Sequence, residues 1–140
     1  MKVTIGKPPQ KSEQKQKIKV EIHDYDTWNM DHTLAHIVVP MLKHLRQNTH
    51  GAANVDLEDV PADLQPEGPY ESGDIDEHYF DRWYYVLEEM IFSFESKTDE
   101  FFEDQFFTKD GYNAAEHEKQ QKRIDNGFRL FGKYYESLWS

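Results

Sequence analysis

Cysteine is absent from this 140-residue chain. Disulfides, thiolate metal sites and cysteine nucleophiles are therefore excluded, and the composition fits a reducing compartment. Long apolar runs are missing as well: none approaches the ~20 residues of a membrane helix, and the N-terminus has no apolar signal-like segment, so an intracellular chain with no membrane partner is expected. No P-loop, GxGxxG, GxSxG, CxxC or HExxH occurs, which leaves nucleotide cradles, nucleophile elbows and zincin sites without a sequence signal. Basic residues are scarce in one place above all. From Asp56 to Asp81 there are ten carboxylates and no Lys or Arg.

The charge that is present is divided unevenly. Residues 1–20 carry six Lys against one Glu, whereas residues 21–140 carry ten Lys/Arg against twenty-six Asp/Glu. A basic arm on an acidic body repels nucleic acid from the body and attracts cations or basic proteins. Aromatic residues make up 14% of the chain, and their large buried areas offset a modest aliphatic content, so one folded domain is expected.

Periodicity predicts a mainly α fold with three long helices, one short helix and a small N-terminal β-hairpin. Val3 and Ile5, then Ile18, Val20 and Ile22, alternate with polar neighbours and predict a two-stranded ribbon over residues 1–23, joined by a lysine-rich loop containing Pro8 and Pro9. Residues 24–140 read as a single helical unit. Asp24–Thr27 is suited to capping a first helix over 29–47, with Leu34, Ile37, Val38, Met41, Leu42 and Leu45 at helical spacing and Pro40 bending it. The acidic stretch 51–73, rich in Pro and Gly, reads as a connection with at most a short turn near Pro61. A second helix, 76–95, shows a stripe of Phe80, Trp83, Tyr84, Leu87, Met90, Ile91 and Phe94. A short helix is expected over 99–107. The last, over 114–138, would bury Ile124, Phe128, Phe131, Tyr135 and Leu138, with Gly127 and Gly132 leaving room for another backbone or a ligand.

Three constellations carry chemistry. Glu58, Asp59, Asp74, Asp76 and Glu77 belong to the base-free acidic stretch and would form a face for a basic partner, or imitate nucleic-acid charge. Phe101 and Phe107 lie in a segment that interleaves phenylalanine with carboxylates, and would anchor the same partner in a groove; the plainer reading is an amphipathic helix with Phe102 and Phe106 in the core. His32 and His36, one helical turn apart, could join Asp31, Glu88 and Glu95 around a divalent metal. The Glu-x-x-His pairing of di-metal bundles is lacking, and the plainer reading is a capping Asp with hydrogen-bonded histidines. Arg123 and Arg129, if not paired with carboxylates of neighbouring helices, could hold a phosphorylated small molecule.

Asp26-Thr-Trp-Asn-Met-Asp-His-Thr-Leu-Ala-His-Ile-Val-Val-Pro-Met-Leu-Lys43, His50-Gly51, Val55-Asp56, Glu58-Asp-Val-Pro61, Arg82-Trp83, Val86-Leu-Glu-Glu-Met-Ile-Phe-Ser-Phe-Glu95 and Asn126-Gly-Phe-Arg-Leu-Phe-Gly-Lys-Tyr-Tyr-Glu-Ser-Leu-Trp139 resemble an uncharacterised family of small acidic proteins encoded by tailed bacteriophages. The resemblance covers nearly the whole body, and longer relatives carry an aromatic insert where this chain has its lysine-rich loop. It implies a viral origin and the host cytoplasm as the place of action, and favours binding over catalysis. The expectation is a non-enzymatic binder that inhibits or redirects a basic host or viral protein, without a cofactor. The alternatives are a metal-dependent helical phosphohydrolase or small-nucleotide binder, and a virion or assembly component. The aromatic excess leaves room for a homo-oligomeric face.

Overall fold

The computed structural model describes residues 1–8, 10, 11 and 15–140. The expected hairpin loop falls partly on residues 9 and 12–14, outside the described residues. The fold is mainly helical with a small N-terminal hairpin, and the chain divides into two units, Met1–Leu34 and Ala35–Ser140. The first unit extends past the expected boundary at residue 23. The amino group of Met1 pairs with the Asp26 carboxylate at 2.8 Å, tying the ribbon to the helical turn that follows. No described helix is long and apolar enough to cross a membrane.

In the first unit, β1 (Lys2–Ile5) pairs antiparallel with β2 (Ile18–Glu21), with Val3 opposite Val20 and Ile5 opposite Ile18. Because side chains alternate along a strand, these four apolar residues share one face, and Lys2, Thr4, Lys19 and Glu21 share the other. Asp24–Thr27, expected only as a cap, is itself helical. It belongs to the short α1 (Asp24–Trp28), whose Asp26 carboxylate accepts the His23 backbone N–H at 2.8 Å. The turn breaks at Asn29, and α2 (Met30–Asn48) begins after it.

The second unit is built on α3 (Tyr79–Thr98) and α4 (Ala114–Lys133), which run antiparallel. Trp83 meets Tyr134 at 6.0 Å between ring centroids, and Glu89 meets Arg123. Trp83, Val86, Leu87 and Met90 are buried from α3, and Ile124 and Leu130 from α4. α2 contributes Leu42, with Val38 and Leu45 packed beside it. Gly127 sets the α3–α4 spacing, since a Cβ there would lie 1.9 Å from Ser93 Oγ and 2.3 Å from the Glu89 carbonyl. The expected role of Gly127 is thus met. At Gly132 a Cβ would meet nothing within 4 Å among the described residues.

Two stripes differ from expectation. On α4 the face turns about one residue, so that Leu130 and Tyr134 are buried and Tyr135 is exposed. Phe128 and Phe131 flank that face and make edge contacts with Phe94 at 5.0 and 4.8 Å. On α3, Phe80 is exposed and Val86 takes a core place. α4 also stops at Lys133, and a 3-10 turn over Tyr135–Ser137 completes the segment expected to be helical. The expected short helix is a 3-10 turn, Phe102–Phe106, followed by a small hairpin of β3 (Phe107–Thr108) and β4 (Gly111–Tyr112).

Candidate functional site

The acidic connection between α2 and α3 wraps the end of the second unit where α3 begins and α4 stops. Two 3-10 turns, Leu57–Asp59 and Ala62–Leu64, shape its first half. Gln65 Nε2 donates to the Leu57 and Val60 carbonyls at 2.8 and 3.2 Å, which holds both turns together. The second half is clamped by Arg82, whose side chain is only 1% exposed. Its guanidinium donates to both Asp76 oxygens at 2.7 and 2.6 Å and to the Leu64 carbonyl at 2.8 Å, and it lies 5.2 Å from the Tyr70 ring. Hydrogen bonds from Arg82 hold the Asp76 carboxyl below its ordinary range.

Above this clamp the loop forms a concavity of about 480 Å³, lined by Glu67, Tyr70, Asp74, Ile75, Asp76 and Glu77. Asp74 closes a turn by accepting the Glu71 backbone N–H at 2.9 Å, and Gly73 supplies the left-handed φ of +99° that this turn requires. Glu67, Asp74 and Glu77 are exposed. Ile75, 78% exposed, stands among them. A rim of carboxylates beside a ring and one uncovered aliphatic side chain can receive a lysine or arginine with its apolar stem.

Glu58 and Asp59, expected on the same open face, differ from one another. Glu58 is exposed, but Asp59 is buried and committed inward: it accepts from Arg129 Nη2 at 2.6 Å, Lys133 Nζ at 2.6 Å and the Tyr134 hydroxyl at 2.7 Å. Asp59 therefore cannot be a contact residue for a partner. Burial pushes its carboxyl up, but the three donors outweigh that and hold it below the usual range. Burial and the bond to Asp59 push the Tyr134 hydroxyl up to about 12. Lys133, raised by its bonds to Asp56 and Asp59, places its ammonium 2.7 Å from Asp56, 3.4 Å from Glu58 and 2.6 Å from Asp59. Asp56, Glu58 and Asp59 are the one described group of three close enough to share an ion, and an internal lysine already supplies the positive charge.

Two of the residues expected to hold a metal are spent in other ways. Glu88 accepts from Arg46 at 2.9 Å, and Glu95 pairs with Lys43, so both carboxylates fasten α3 to α2. Asp31 and His36 are exposed on α2, and His32 is half-buried there. The arginines expected to hold a phosphate are likewise engaged. Arg123 donates to Glu89 at 3.0 and 2.8 Å and lies 3.7 Å from the Phe92 ring, while Arg129 holds Asp59 and the Asn126 side chain. Pairing with carboxylates of neighbouring segments, the plainer reading, describes both.

Phe101 and Phe107 are 71% and 65% exposed, and Phe106 between them is fully buried. They leave the C-terminal end of α3, whereas the acidic concavity leads into its N-terminal end. Twenty helical residues separate the two, about 30 Å at 1.5 Å per residue. The acidic residues and the exposed phenylalanines thus lie on two surfaces, not one.

Reading the sequence missed Arg82 and Tyr134, which fix the acidic segment from beneath. The spacing of Arg129 and Lys133, four apart on α4, was the signal for a carboxylate receiver. No protein-family model, curated protein or solved structure matches the chain.

Proposed function

We propose that the chain is a non-enzymatic binding protein that engages a basic protein surface through the acidic concavity formed by residues 66–77. The observation that carries this reading is the concavity itself, where exposed Glu67, Asp74 and Glu77 surround Tyr70 and Ile75 in a stretch without Lys or Arg. Arg82 engages Asp76 and Tyr70 from the protein side, the same chemistry that an incoming arginine would meet from solvent. On the resemblance to bacteriophage proteins, the partner we propose is a basic host or viral protein, inhibited or redirected on binding. Phe101 and Phe107, at the far end of α3, offer a second and separate contact.

Affinity capture from infected host lysate, with nuclease treatment and a salt series, tests the proposal. The expected result is a stoichiometric protein partner released by salt and lost in the triple variant Glu67→Lys, Asp74→Lys, Glu77→Lys, whose thermal melt is no lower than that of the parent. A partner retained equally by the triple variant would overturn the assignment of the surface. Recovery only with virus particles would favour the assembly reading.

A further inference from the structure

Within the first unit, no described residue covers one face of the ribbon. Val3, Ile5, Ile18 and Val20 lie together on it and are 39%, 56%, 64% and 53% exposed. No described residue from 1 to 34 is buried. Two strands without a covering layer are marginal in water, and four aligned β-branched side chains on one face make an apolar patch that calls for a partner. The second unit has an uncovered apolar surface of its own, a groove of about 770 Å³ lined by Val38, Met41, Leu45, Phe131, Tyr135 and Leu138. Met41 and Tyr135 are each 63% exposed there.

We propose that the chain forms a two-fold dimer in which the ribbon of each copy lays its Val3/Ile5/Ile18/Val20 face in the groove of the other. Charge chooses this occupant. Residues 1–22 carry six Lys against two Glu, whereas residues 35–140 carry ten Lys/Arg against twenty-two Asp/Glu, so ribbon and groove-bearing unit attract. Ribbon packed on ribbon would instead bring two lysine-rich arms together. Two-fold symmetry makes the two exchanged contacts identical and closes both kinds of open apolar surface at once. Neither the acidic concavity nor its partner takes part in this dimer.

Sedimentation equilibrium over a concentration series, using the full chain, is the test. The expected mass is twice 16.7 kDa, with the dimer weakened by high salt. Ile18→Glu should raise the dissociation constant at least tenfold. Met41→Glu, at a position 63% exposed on α2, should do the same with an unchanged thermal melt, and guards against a ribbon that merely fails to form. Amine-to-carboxylate cross-linking of mixed isotopically light and heavy copies should join arm lysines to body carboxylates in mixed pairs. A monomer at every concentration, its ribbon left for its own groove, a nucleic acid or a membrane, would overturn the proposal. So would a dimer indifferent to both substitutions.

Discussion

Asp59 shows how a single carboxylate can anchor a segment that sequence patterning assigns to the surface. Its side chain is 1% exposed while Arg129 and Lys133 keep contact with water at 48% and 29%. Asp59→Asn should therefore cost about 2 kcal/mol at pH 7, less than breaking a fully buried pair, because the abandoned cations can rehydrate. The pH dependence follows from the lowered carboxyl. A folded-state value below the unfolded one contributes stability above about pH 4 that is lost as pH falls through the folded value. Urea denaturation from pH 2 to 7 should show this acid limb flattened in Asp59→Asn. Tyr134 has the opposite sign. With its hydroxyl raised to about 12, its contribution is complete below the ordinary tyrosine value of about 10 and fades as pH rises through 12. The gap in stability between the parent and Tyr134→Phe should accordingly narrow over that alkaline interval.

The two glycines of α4 make a matched test at the same scale. Gly127→Ala would drive a Cβ into the backbone of α3, and the helices must separate, at a cost of about 3 kcal/mol or more. Gly132→Ala meets open space in a helix and should gain about 0.5–1 kcal/mol by restricting the unfolded chain. Thermal or urea melts of the two variants check the signs. Equal effects would mean that Gly127 does not set the helix spacing.

At the scale of elements, the long helices were legible because their apolar residues recur at helical spacing over many turns. Their facing was less so. From Phe128 to Leu138, α4 and the turn after it carry apolar rings on nearly every side, so periodicity cannot choose between Tyr134 and Tyr135; the Asp59 carboxylate and the Gly127 contact choose. The ribbon was legible from strict alternation, but the short hairpin after α3 has only two residues per strand, too few for a period to register. The acidic connection was read correctly as irregular, yet its order comes from Arg82, and no local pattern marks an arginine as buried. Arg82→Lys keeps the charge but cannot make the bidentate contact to Asp76 and the bond to Leu64 together. Hydrogen exchange over residues 64–76 should accelerate by roughly tenfold in that variant while the α3–α4 core remains protected. Unchanged exchange would show that the loop is held by its 3-10 turns alone.

At the scale of the whole molecule, the net charge of −11 sets a competition between self-repulsion and internal pairing. Exposed pairs such as Lys122 with Glu118 and Lys19 with Glu21 contribute at most about 1 kcal/mol each, and salt screens them. The pairs made by Asp59, Glu89 and Arg82 each have one member nearly out of water, and salt reaches them less. What salt relieves most is the repulsion among the many carboxylates left over, which act against the compact state over distances longer than a Debye length of about 10 Å at 0.1 M. Stability should therefore rise with ionic strength, with Tm increasing by several degrees between low salt and about 0.5 M sodium chloride. The triple reversal in the acidic loop adds positive charge to this excess of negative charge and should already show part of the gain at low salt. A Tm that falls with salt in the parent chain would mean that the surface pairs, not the net charge, govern its stability.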